Sequence, residues 1–249
     1  MLRLALGFLG LTVVAVAGPA QAAVNLVMNG DFETTTMTSP QQMNTANVKN
    51  WSTSGYSFIF FPGTADTTGS YTTTYQHQIY LWGPNNRGAS SNALPATSPT
   101  GGNFVAADGA ADLAKPITQT IGGLSVGTNY LLTFFWAGAQ QSGYTGGTTE
   151  SWGVSFGNQS YSTHTVTTPS QGFSPWCQVS VLFSATAASQ VLSFLAAGAP
   201  NGQPPFSLLD GVSLVAAPEP ATWAIMAIGL AGAGVLTARR RRSRIAATV

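Results

Sequence analysis

The chain has 249 residues, of which only 7% are Asp, Glu, Lys or Arg, with 28 glycines, 14 prolines and 10% aromatics. Globular domains ordinarily carry about 25% charged residues, so ion-pair networks are excluded as a source of stability, while apolar material is ample for a core. Five of the nine basic residues lie in the last eleven positions, and residues 23–217 set Lys49, Arg87 and Lys115 against Asp31, Glu33, Asp66, Asp108, Asp112, Glu150 and Asp210, a balance of −4. That balance excludes the basic footprint of a nucleic-acid binder.

At the N-terminus, Arg3, an apolar stretch over 4–17, the helix-breaking Gly18-Pro19 and the small-residue box Ala20-Gln21-Ala22 predict a secretory signal over 1–22, removed by signal peptidase. The apolar run is short for an uncleaved membrane anchor.

Residues 23–217 read as one all-β body. No window there shows helical periodicity, whereas short runs of β-branched and aromatic residues recur between turn signals such as Gly122-Gly123, Gly157-Asn158 and Asn201-Gly202. Strands are predicted near 25–28, 57–61, 76–82, 103–107, 116–121, 129–137, 151–156, 159–166, 176–184, 190–196 and 206–215. Residues 62–74 and 85–102 read as long loops. The number and spacing of the strands predict a jelly-roll β-sandwich. The stretch 130–136 is apolar on both faces and predicts a central strand. The single cysteine, Cys177, alternates with Val179, Val181 and Phe183, the pattern of a small buried hydrophobe.

Catalytic signals are weak. His77 and His164 stand among Thr, Gln and Tyr. The Gly153-Val154-Ser155-Phe156-Gly157 match to a nucleophile elbow lies inside a strand rather than between strand and helix. Asp108, Asp112 and Glu150 are carboxylates without a paired pattern. The reading is a non-enzyme. Sugar contact is the better class, with Trp82, Tyr144, Trp152 and Trp176 as stacking faces and Gln140, Gln141 and Glu150 as hydroxyl partners. The competing reading buries Trp136, Trp152 and Trp176 in the core.

Two family resemblances sharpen these expectations. The start Asn29-Gly30-Asp31-Phe32-Glu33 followed by Trp51, the stretches 119–124 and 127–134, and the late Leu209-Asp210-Gly211-Val212-Ser213-Leu214 resemble galactose-binding-like jelly rolls, including carbohydrate-binding modules. That resemblance implies a structural calcium held by an early Glu, a late Asp and main-chain carbonyls, here Glu33 and Asp210 with carbonyls near Asn25 and Gly30. Parity agrees, because Asp210 alternates with Leu208, Val212 and Leu214 and so points at the core in a regular strand. A bulge at Gly211 would turn it outward.

At the other end, 221–238 is uncharged and long enough for one transmembrane helix, and Arg239, Arg240, Arg241 and Arg242 follow at once. Pro218-Glu219-Pro220 precedes it. The three parts, covering 218–244, resemble the sorting signal of bacterial PEP-CTERM proteins. That resemblance implies processing by an exosortase at the membrane, then release or transfer to the cell surface and its exopolysaccharide. The expectation is an exported surface or matrix protein with a non-catalytic body; the alternative is a secreted lectin or glycan hydrolase.

Overall fold

In the computed structural model, residues 24–72, 77–90 and 92–217 are described, and every regular element among them is a β-strand. The predicted signal (1–22) and sorting segment (218–244) lie outside the described residues. The strands are β1 (Gln41–Gln42), β2 (Ser57–Phe60), β3 (Ser70–Thr72), β4 (His77–Ile79), β5 (Phe104–Asp108), β6 (Ile117–Gly122), β7 (Asn129–Gln140), β8 (Thr148–Phe156), β9 (Gln159–Ser162), β10 (Val166–Thr168), β11 (Phe173–Ser184), β12 (Ser189–Ala199) and β13 (Pro205–Ala216).

They form two sheets. The larger runs β11-β7-β13-β5-β2-β1-β3-β4, and the smaller runs β10-β8-β12-β6 with β9 also on β8. In β8 buried positions alternate with half-buried ones, and in β12 mostly with exposed ones, so these strands turn one face to the core and the other toward water. Strand β7 lies between β11 and β13, paired on both sides as its sequence predicts but one strand in from the sheet edge, with Leu131, Thr133 and Phe135 half-buried.

The core between the sheets is built on aromatic rings. Phe194 meets Phe134, Trp152 and Trp51 edge-on at centroid distances of 5.2, 6.0 and 6.3 Å, the geometry favoured by the ring quadrupoles. A second apolar cluster, with Phe58, Phe60, Ile79, Leu81, Phe104 and Phe206, covers the other face of the larger sheet. The far edge of that sheet returns to close over it: Leu81 forms an antiparallel bridge to Gln141, and the Trp82 amide donates to the Gln140 carbonyl at 2.9 Å. The larger sheet is therefore buried on both faces where it meets β2, β5 and the ends of β7 and β13.

Three strand expectations are corrected. Residues 25–28 form no strand; Leu26 makes a single backbone hydrogen bond to Leu214, 2.9 Å long. The region 159–166 splits into β9 and β10, which follow one another along the same side of β8. β3 arises inside the predicted loop 62–74 and β1 where no strand is predicted, because β1 is held between β2 and β3, a partnership that short-range pattern does not carry.

Asp210 is the fourth correction. Strand β13 shifts register between Asp210 and Ser213, with Gly211 at φ +61°. The bulge keeps Asp210 on the face of Leu208, in the second cluster, and turns Val212 and Leu214 to the sandwich core. A left-handed φ is available to glycine without steric cost. Thr100 lies where a side chain at Gly211 would go.

Candidate functional site

Extended residues 77–82 carry the surface feature with the clearest chemistry. Ile79 and Leu81 are buried in the second cluster, so the alternating Gln78, Tyr80 and Trp82 lie on the other face, Gln78 exposed and the two rings half-buried. Tyr71 on β3 stands opposite Gln78 and is 41% exposed. The Tyr80 hydroxyl donates to Gln78 Oε1 at 2.7 Å, and its ring lies over Gly69, where a Cβ would come within 2.7 Å of the ring. Trp82 Nε1 donates to the Tyr144 carbonyl at 2.7 Å, and Tyr144 is 39% exposed. The result is a fixed row of aromatic side chains with primary amides beside them, and no charged group in 77–82.

Of the predicted sugar contacts, the structure brings Trp82, Tyr144 and the half-buried Gln141 together here. Tyr71, Gln78 and Tyr80 complete the group and were missed; the alternation of Gln78, Tyr80 and Trp82 about Ile79 and Leu81 was the signal. Trp152, Gln140 and Glu150 are corrected to interior roles. Trp152 is fully buried and its Nε1 donates to the Leu208 carbonyl at 3.0 Å. Gln140 ties two turns, donating to the Gly146 carbonyl and accepting from the Gln171 amide, both at 2.8 Å. Trp136 is core, and Trp176 packs edge-on against Phe104 at 5.7 Å.

Glu150 is fully buried on the inner face of β8. One oxygen accepts from Thr168 Oγ1 at 2.5 Å, while Oε1 has no partner. Burial outweighs its hydroxyl contacts and raises its pKa to about 7. Asp108 is similar: Oδ1 accepts from the Ala110 amide at 2.8 Å, Oδ2 is unpartnered, and burial raises the pKa to about 6. Both carboxyls are closed off from solvent, and their pKa values follow from burial. Ser155 of the Gly-x-Ser-x-Gly stretch stands in β8 opposite Ser193 and Ser160, without the helix a nucleophile elbow needs. The half-buried Cys177 packs against the sandwich core, and burial pushes its thiol up.

The calcium expectation can be tested on the groups present. Asp210 is fully buried; Oδ2 accepts from the Ser98 and Thr100 hydroxyls, and Oδ1 has no partner. Burial raises its pKa to about 6, and the nearby Asp31 adds to the rise. Glu33 reaches the same loop, accepting from the Asn103 amide beside Gly102. Two carboxylates and two hydroxyls thus converge on residues 98–103, an all-oxygen set that suits a hard cation. Gly30 packs against the Val212 carbonyl, and its own carbonyl accepts from the Val212 amide at 2.9 Å. Asn25 does not fit as a side-chain ligand, since its Oδ1 accepts from the Val27 and Leu214 amides at 3.0 and 2.9 Å. Among the described residues no three His, Cys, Asp or Glu side chains cluster as a metal site, so hydroxyls, carbonyls or water would have to complete any shell.

No curated protein matches the chain. The fold is similar to solved structures of the carbohydrate-binding module TmCBM61 in complex with beta-1,4-galactotriose, of a CBM4, and of a putative sugar binding protein from Bacteroides thetaiotaomicron VPI-5482. The first is 16% identical, with a TM-score of 0.41, over 78% of this chain and 100% of that one. The second is 12% identical, at 0.34, over 76% and 99%, and the third 12% identical, at 0.33, over 78% and 100%. At the C-terminus, residues 216–242 match the family model of the PEP-CTERM protein-sorting motif. The chain carries a PEP-CTERM sorting signal, which implies an exported, membrane-transiting, cell-surface protein.

Proposed function

We propose that this chain is a surface or extracellular-matrix protein that exosortase processes at Pro218-Glu219-Pro220, and whose non-catalytic body holds neutral exopolysaccharide along the Tyr71–Tyr80–Trp82–Tyr144 strip. The strip carries the reading. Aromatic faces cover the apolar faces of pyranose rings, and amides such as Gln78 and Gln141 exchange hydrogen bonds with hydroxyls. An uncharged strip matches an uncharged polymer. The topology follows from 221–238 as a membrane span with Arg239, Arg240, Arg241 and Arg242 on the cytoplasmic side. Signal peptidase acts at the other end, after Ala22. A structural calcium at Asp210 and Glu33 would pin the 98–103 loop to the bulge of β13.

Retention of the protein on neutral polysaccharide gels tests the strip. Trp82→Ala should weaken retention by about fivefold or more, as expected when a central aromatic contact worth roughly 1 kcal/mol is truncated. Trp176→Phe, on the second cluster, should leave it unchanged. Equal retention of Trp82→Ala and the wild type would remove the strip from the function, and turnover of the polymer would favour the hydrolase alternative.

A further inference from the structure

The two chain ends of the body meet at one end of the sandwich. Leu26 bonds to Leu214, and the Ala217 amide donates to the Asn129 carbonyl at 2.8 Å. The turns gathered there are 123–128, 157–158 and 185–188. They are knitted by Leu124 to Ala188, Gly127 to Ala185 and Gly157 to Val191 backbone bonds of 3.1, 2.8 and 3.0 Å. No residue in 24–26, 122–129, 156–160, 184–191 or 214–217 is charged. All ten charged side chains of the body lie outside these segments, although the body as a whole is acidic. The same pole exposes apolar groups: Val24 is 70% exposed, Val126 67%, Leu182 58% and Val191 45%. The opposite end of β7 leads to Gln140, Trp82 and the aromatic strip.

The sorting motif begins inside this pole. Its first matched residue, 216, is the last residue of β13, and only Pro218, Glu219 and Pro220 separate Ala217 from the uncharged stretch. Fully extended, three residues reach about 10 Å. The headgroup layer on each side of the hydrocarbon is itself about 5–8 Å thick. With 221–238 read as a membrane span, a tether of that reach keeps Ala217 within about 10 Å of the first residue of the span.

We propose that this uncharged pole is a lipid-contact surface, which in the membrane-attached precursor rests in the headgroup layer with Val126 and Leu182 at the apolar boundary. The inference rests on the reading of 221–238 as a membrane span. An acidic body pressed against a bilayer is opposed by desolvation of its charges and by anionic lipid. Keeping the body's seven carboxylates off the facing pole lowers both costs and leaves Glu219, in the sequence of the tether, as the one acid beside it, and exposed valine and leucine gain from partial burial. The strip at the opposite end of β7 then points away from the membrane, toward the polymer.

The test uses the full chain carrying Cys177→Ser, reconstituted in phosphatidylcholine nanodiscs. A single fluorophore is placed on Val126→Cys, Leu182→Cys, Tyr144→Cys or, in the apolar stretch, Gly229→Cys, and brominated lipid is the quencher. Quenching at 229, 126 and 182 but not at 144 is expected. Quenching at 229 alone overturns the lipid contact and leaves the span standing. No quenching at 229 overturns the span and the contact together. Hydrogen exchange on the unsubstituted chain gives an independent reading: amides of 123–128 should exchange more slowly in nanodiscs than in short-chain detergent, and equal rates overturn the contact.

Discussion

Asp210 and Glu150 are both fully buried carboxyls with one oxygen satisfied and the other unpartnered, yet their surroundings call for different neutralising partners. Around Asp210 stand the Ser98 and Thr100 hydroxyls, with Asp31 close enough to raise its pKa further and Glu33 bonded to the same loop. Around Glu150 stand Thr168 and, beyond it, Ser174 at 3.0 Å from the Thr168 hydroxyl. No second carboxylate contributes to the Glu150 shift. Clustered negative charge and oxygen ligands suit a divalent cation; a lone acid among hydroxyls suits a proton. Burial alone therefore does not say what a buried acid binds. The neighbouring charge does.

The largest effect that tests this contrast is in pH. Glu150 titrates near 4.5 when unfolded and about 7 when folded, and Asp108 and Asp210 near 3.8 and about 6. All three folded values are raised, so the contribution of each is fully present below the unfolded value and lost as pH rises through the folded one. In chelator, each should cost on the order of 3 kcal/mol between pH 4 and pH 8. Denaturation midpoints should fall steadily over that interval; a midpoint that is flat or rises would mean these acids are not held as neutral groups.

Calcium comes next. At pH 7.5 it should raise the melting temperature of the protein, with a gain of about 2.7 kcal/mol at a hundred times the dissociation constant. The gain should shrink as pH falls through about 6, where protons compete for Asp210. Asp210→Asn should abolish it and Glu33→Gln weaken it, whereas Glu150→Gln should leave it intact. Identical melting curves in chelator and excess calcium would show that Asp210, like Glu150, is neutralised by a proton.

Glu150→Gln separates the two sites from the other side. The uncharged amide should stabilise the fold by about 2 kcal/mol at pH 8 and change little at pH 4, since the wild-type group is then protonated. Destabilisation at both pH values would indicate that the Thr168 contact, rather than charge, dominates there. The smallest expected change is from Asp31→Asn, which removes the like charge beside Asp210 and should move that group's titration to lower pH while leaving the Glu150 step in place. Carboxyl NMR titration measures both.

Much of the fold was legible in advance because it depends on patterns of period two. The alternation of Gln178, Val179, Ser180 and Val181, the two-sided apolar run of β7 and the turn at Gly157 all have local causes. β1 and β3 were not legible. A strand of two residues such as Gln41–Gln42 exists because β2 lies alongside, and nothing in its own sequence announces that. Half of the residues in the surface strip, Trp82, Tyr144 and Gln141, were already singled out in the sequence as candidates. Trp152, Gln140 and Glu150 were placed with them because a tryptophan or an amide in a sequence carries no mark of depth. Each instead finds a partner inside, in the Leu208 carbonyl, two turn backbones and Thr168, although Glu150 Oε1 stays unpartnered.

Composition and local order alone determined that the body is all-β, that it is acidic, and that its tail carries a sorting signal. Charge counts, strand periodicity and a contiguous motif are all properties of the chain in one dimension. Only the tertiary structure decided which way Asp210 points, because Gly211 can take a left-handed turn and the bulge it forms exchanges the faces of every residue after it. It likewise decided that Tyr71, Tyr80, Trp82 and Tyr144 form one strip, through the closing of the sheet edge at Leu81 and Gln141. The uncharged segments share a pole for the same kind of reason: residues distant in sequence become neighbours through backbone hydrogen bonds that no local pattern encodes.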